Sequence, residues 1–164
     1  MAKQMTSIAE VLIRQIDWSK LREIDGVATS VGIALVRLLT AEKVEDAQSA
    51  YWEIENHVVV QDDVYESAEA CVGVLIAALI DERPRFVRIA ILGLLFQILS
   101  GSASEIELQF NNEKIVERCK GRAREGLWLL VRELVLGEDA ALDVLRLLVE
   151  SERIAEFELL CVKV

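Results

Sequence analysis

Apolar positions along this chain recur with a period near 3.6 almost everywhere, and no segment sustains an alternation of period 2. Steps of three and four put apolar side chains on one face of a helix, so the pattern predicts an all-α protein. Residues 8–24 predict one or two short helices around Trp18. Over 25–39 the stripe Val27, Val31, Ala34, Leu35 and Leu38 predicts another. Thr40 is placed to cap the next helix, whose stripe Val44, Ala47, Tyr51, Ile54 and Val58 lies opposite Glu42, Glu45, Asp46, Ser49, Glu53 and Asn56.

Asp63 followed by Glu66 has the spacing of a capping box and predicts a helix that buries Val64, Ala68, Cys71, Val72, Leu75 and Leu79. Residues 81–84 read as a turn. Pro84 suits the first position of a helix and opens 84–99, which is apolar nearly all round and so belongs between neighbours. A looser segment, 102–110, leads to Asn111 or Asn112 as cap of a long helix. It buries Ile115, Val116, Cys119, Ala123, Leu127, Leu130, Val131 and Leu134 and stops at Gly137. Asp139 starts a shorter helix, and Ser151 caps a last one through Phe157 and Cys161. About seven helices with short connections predict helical hairpins, stacked as a short α-solenoid of HEAT or armadillo type or packed as a compact bundle.

With 164 residues the chain is in the range of one domain, 1–164, whose clearest repeat-like part is 40–150. Its apolar share of 53% and single proline agree with helices buried on more than one side. The longest uncharged run, 89–104, is interrupted by Gln97, Ser100 and Ser102 and falls short of the ~18–20 apolar residues of a membrane helix. Glu10 and Arg14 break the N-terminal apolar positions, so no secretory leader is expected there. These features predict a soluble cytoplasmic protein with no membrane partner.

Cys71, Cys119 and Cys161 are odd in number, far apart and set among apolar neighbours, as buried thiols of a reducing compartment are. Together with His57 they have none of the short spacings that structural zinc uses, so no metal is expected. Dinucleotide, phosphate-loop, zinc-protease, serine-hydrolase and EF-hand signatures are all missing, and no cofactor or enzyme activity is expected.

Charge changes this picture at one place. Residues 41–70 hold nine acids against Lys43 alone, which is net −8 of the chain's −10. A field so localised attracts a basic partner and raises its rate of encounter. Glu42, Glu45, Asp46, Glu53 and Glu55 exceed what a helix start needs. Asp62, Asp63 and Glu66 also have a local reason, as acids at the beginning of a helix. Trp52 falls between the apolar stripe and the polar face, where an aromatic either packs between helices or anchors a partner. Tyr65 has the same two readings, its hydroxyl reaching the same rim in the second. The candidate partner-binding residues are therefore Glu42, Glu45, Asp46, Ser49, Trp52, Glu53, Asn56, Asp62, Asp63, Tyr65 and Glu66. Lys114, Arg118, Lys120, Arg122 and Arg124 form a basic patch interspersed with Glu113, Glu117 and Glu125, the habit of a solvated helix face rather than of a nucleic-acid contact.

The run from Ala50 through Tyr51, Trp52, Glu53, Ile54, Glu55 and Asn56 to His57, then Gln61, Val64 and Tyr65, then Leu75, Leu79 and Ile80, resembles bacterial HEAT-like helical-repeat proteins. The later set Cys119, Gly126, Leu130, Leu134, Ala140, Ala141, Leu142, Leu147 and Leu148 is similar to the second unit of such proteins. The resemblance covers about 40–150. It implies a protein of the kind that includes immunity proteins, which neutralise toxins used in competition between bacteria.

The sequence expectation is therefore an immunity protein that binds a basic toxin domain, a nuclease for example, through an acidic helical surface. Carboxylates would there meet the cations that a nuclease uses for phosphates. Two alternatives remain at this stage. A HEAT-like scaffold or adaptor needs only the surface. A helical-repeat enzyme on nucleic acid, such as a DNA glycosylase, needs a concave basic face, which a net charge of −10 opposes.

Overall fold

The computed structural model describes residues 6–161, and among them the apolar stripes form ten α-helices. In chain order these are α1 (Ile8–Gln15), a 3-10 turn (Trp18–Lys20), the strands β1 (Arg22–Glu23) and β2 (Gly26–Val27), α2 (Thr29–Leu39) and α3 (Val44–Val58). Then come β3 (Val59–Val60), β4 (Asp63–Val64), α4 (Ser67–Ala78), α5 (Arg85–Ser100), β5 (Ser102–Ala103) and α6 (Glu105–Gln109). The chain continues through α7 (Ile115–Arg124), α8 (Leu127–Val135), α9 (Ala140–Leu148) and α10 (Ser151–Cys161). The class is all-α, as the periodicity requires, with strands of two residues only.

The helices pack in two layers. In one, α4 lies between α1 and α7, and in the other α5 lies between α3 and α9. α2 covers α3, and α10 closes the far end on α8 and α9. α5 touches both layers, and its nearly continuous apolar surface explains the place: Val87, Ile91, Leu92, Leu94, Leu95, Ile98 and Leu99 are all buried. Burial of such Leu and Ile side chains, at about 1.5–3 kcal/mol each, is the main force holding the layers together.

Side-chain contacts fix the directions. Glu69 pairs with Arg118, the stem of Arg122 lies over Gly73, and Ile76 meets Gly126, so α4 and α7 run parallel. Ser7 accepts from Arg83, just beyond α4, while Arg22 pairs with Glu66, just before it, so α1 runs antiparallel to α4.

Several expectations are corrected. Thr40 ends α2 instead of capping α3, its hydroxyl donating to the Val36 carbonyl at 2.8 Å. The Asp63 and Glu66 pair does not open a helix. Asp63 and Val64 form β4, and α4 starts at Ser67. The cause is the β-branched pair Val59 and Val60, which leaves α3 as an extended strand and pairs Val59 with Val64 across a turn. Gln61 (φ 50) and Asp62 (φ 70) supply that turn's left-handed backbone. β5 then adds in parallel to β4. Val27 and Val44, expected in the core, are exposed, the first on the β1–β2 hairpin and the second at the first residue of α3. The long helix expected over 112–137 is two helices that meet at Gly126, where the backbone lies close to Ile76. Among the described residues no helix is long and apolar enough to cross a membrane.

Candidate interaction surface

α3 is built by two opposite faces. Ala47, Ala50, Ile54 and Val58 are buried, and the Tyr51 ring lies half-buried over Gly93 of α5. Glu45 and Asp46 sit in the first turn and His57 in the last, the distribution that suits the helix dipole. The outward face carries Glu45, Asp46, Ser49, Trp52, Glu53 and Asn56, which helical spacing aligns in one strip. Glu42 is exposed just before it.

Trp52 is 51% exposed in the middle of this strip. Its ring meets Tyr51 edge to face, with centroids 5.3 Å apart, so it is steadied from one side and open on the other. Arg37 of α2 reaches across to Glu53 at 2.5 Å and to the Ser49 hydroxyl at 3.2 Å. Glu53 is thus offset by a cation from another helix, which the sequence count of one base missed. Ile33 and Val36 of α2 are also exposed. Glu55, behind the strip, has one buried carboxylate oxygen without a partner, and burial raises its pKa.

The other candidate residues separate into two groups. Asp62 and Asp63 are exposed on the hairpin turn that follows α3, where the Asp62 carbonyl accepts from the Ser102 N–H at 2.8 Å. Tyr65 is buried, its hydroxyl pushed to a higher pKa by burial and by nearby Asp63, Asp25 and Glu107. It does not reach the rim. Glu66 is held by Arg22 at 3.1 Å through both the guanidinium and the backbone N–H. Tyr65 and Glu66 therefore serve the interior rather than the acidic face.

Two buried charged centres had no counterpart in the sequence reading. Glu107 is fully buried and accepts from Arg22, from the Glu66 backbone N–H at 3.0 Å and from Asn112. Burial alone would raise its pKa, yet these hydrogen bonds and the Arg22 charge hold it below the usual glutamate range. Glu133 and Glu138, also buried, meet Arg88 at 3.0 and 3.7 Å, and Glu138 also takes Arg85 at 2.7 Å. The only sequence signal was the Ser104 to Glu107 spacing, and Ser104 does cap α6 through the Glu107 N–H at 3.3 Å. These ion pairs tie α5, α6 and α8 to their neighbours and are structural.

His57 Nδ1 lies 2.5 Å from the Glu53 carbonyl within its own helix, and Cys71 and Cys119 are buried with thiol pKa values raised by burial. Among the described residues no three of His, Cys, Asp and Glu come together as a metal site. Comparison of the chain with family models, with curated proteins and with solved structures gave no match.

Proposed function

We propose that this chain is a binding protein that captures a basic protein partner on the α2–α3 face, in the manner of an immunity protein covering the cationic surface of a toxin. The observation that carries the reading is Trp52, exposed at the centre of a strip of carboxylates. Protein interfaces put their energy in such central aromatics, while the surrounding charges set the rate of encounter and the choice of partner. Glu42, Glu45 and Asp46 supply the charge, Asn56 and Ser49 the hydrogen-bonding rim, and Asp62 and Asp63 extend it past the end of α3. The helix is anchored through its other face to α2 and α5, so the surface is rigid before binding. The resemblance of the sequence supports a toxin as the partner, and a nuclease with a cationic cleft is an example of the basic domain that the acidic strip suits.

The test is capture of the tagged protein from its own host at low salt, with co-purifying proteins identified by mass spectrometry. One basic protein in equal amount, released by salt, is the expected result. The variant Glu42→Lys, Glu45→Lys and Asp46→Lys leaves the Arg37–Glu53 pair in place and should lose that protein while keeping its thermal transition. Capture unchanged by this reversal would remove α3 as the binding surface.

A further inference from the structure

A groove of about 660 Å³ runs along the outer side of α4, walled by α1 on one side and by α7 and α8 on the other. Its volume is in the range of ~300–1,000 Å³ that holds small molecules. Ala70, Gly73 and Ala77 keep its floor low. Apolar side chains run from one end to the other: Leu21 and Ile16 near the start of α4, Leu12 on the α1 wall, and Ile80 and Trp128 beyond the far end of α4. Leu12, Ile80 and Trp128 are 37%, 39% and 60% exposed, so three large apolar side chains are left open to water on one groove. Apolar surface gathered in this way marks binding sites, whereas single exposed residues do not.

The charges on its walls are closed on one another. Glu66 pairs with Arg22 at 3.1 Å, Glu69 with Arg118 at 2.9 Å, and Glu125 with Arg122 at 3.2 Å. Every charged side chain that lines the groove therefore has its countercharge within the protein. Arg122 contributes its stem as well: Cγ and Cδ lie 3.6 and 3.5 Å from where a Cβ on Gly73 would stand, so this wall offers methylene groups while the guanidinium meets Glu125. An anion or a cation placed here would give up water and find no unpaired countercharge in return. An uncharged molecule escapes that cost and gains by covering Leu12, Ile80 and Trp128.

We propose that this groove binds an uncharged, mainly apolar small molecule, which lies over Ala70, Gly73 and Ala77 between Leu12 and Trp128. The site belongs to the layer of α1, α4 and α7, whereas α3 belongs to the other layer, so it does not depend on the protein-binding role.

The experiment titrates the full chain with decan-1-ol, decanoate and decylamine, which share one chain length and differ in charge, each kept below the concentration at which it aggregates. Calorimetry gives stoichiometry and affinity, and tryptophan fluorescence reports the place. Decan-1-ol should bind at one site and about tenfold more tightly than either ion, the cost of one charged head left without a partner. Its fluorescence change should vanish in Trp128→Phe while the binding heat remains. Ala70→Trp, which fills the floor, should block binding, and Leu12→Asn, on the partly exposed wall, should weaken it. The three probes on the unaltered protein decide the matter even if a variant fails to fold. Equal affinity for all three, preference for either ion, or no binding of decan-1-ol overturns the proposal, as does undiminished binding to a folded Ala70→Trp protein.

Discussion

Arg22 donates from Nε and Nη2 to the two carboxylate oxygens of Glu107, at 3.2 and 2.8 Å, across 85 residues of chain. The same guanidinium lies over the Phe110 ring, 4.2 Å from its centroid, and meets Glu66 on its other side. One arginine on a two-residue strand thus ties α4 and α6 together through a carboxylate with no exposure to water. Arg22→Ala leaves that charge buried without its main partner and should cost about 3–5 kcal/mol. The double variant Arg22→Ala and Glu107→Leu should recover part of the loss, because no buried charge remains. Urea unfolding of the three proteins measures both steps, and a double variant no more stable than the single one would contradict the argument.

Glu107 and Glu23 respond to pH in opposite directions. The folded pKa of Glu107 lies below the ordinary 4.5, so its stabilisation is present above that value and is lost as pH falls through the folded pKa. Glu23 is buried with Oε2 unpartnered; burial raises its pKa, with Asp25 adding to the rise and His57 opposing it. Its ionisation therefore weakens the fold as pH rises above 4.5 towards the folded pKa, and the penalty persists at neutral pH. Glu23→Gln should stabilise the protein at pH 7 by about 1 kcal/mol, a gain that disappears in acid. Melting curves of both proteins between mild acid and neutrality check the sign.

Gly126 lets the backbone between α7 and α8 come close to α4. A Cβ at this position would stand 2.2 Å from Cγ2 of Ile76, so Ile76 would have to shift. Gly126→Ala should cost about 1–3 kcal/mol by overpacking. Adding Ile76→Ala should relieve the clash, so the two substitutions should combine to less than the sum of their separate costs. Additive losses would mean that Ile76 does not limit the space at position 126.

The thiols give a probe of the seam between α4 and α7. Cys71 and Cys119 are buried, and burial pushes the Cys119 thiol up to about 12 and that of Cys71 higher still, with the negative charge of Glu69 adding to the rise at Cys119. Only Cys161 is partly exposed. Thiolate is the reactive form, so iodoacetamide at pH 8 should modify Cys161 first and the other two only after denaturation. Labelling of Cys119 at the rate of Cys161 would show that α7 opens from α4 in the folded protein.

Much of this was legible from local spacing. The stripes of α4 and α5 follow from the apolar period, and positions 45, 46, 49, 52, 53 and 56 share a face by helical geometry alone. What was not legible depends on distant residues. The acids at 62 and 63 look like a helix start, and only the pairing of Val59 with Val64 makes them a hairpin. The Arg37 contact to Glu53 crosses between helices, and the groove takes its walls from α1, α7 and α8 around α4. No periodicity within one segment encodes such meetings.

Trp52 is the residue on which the proposed binding face is most exposed to test. Its edge contact with Tyr51 is worth about 0.5–1.5 kcal/mol, and half of the side chain faces water. At the centre of an interface the same ring would contribute about 2 kcal/mol or more. Trp52→Ala should therefore weaken partner binding about thirtyfold or more while moving the thermal transition only slightly. Tyr51→Ala should do the reverse, because that ring lies over Gly93 and supports α5 instead of facing outward. Isothermal titration and thermal melts of both variants give the comparison. Equal effects of the two substitutions on binding would mean that the face acts through its shape as a whole, and an effect of neither would move the partner to another surface.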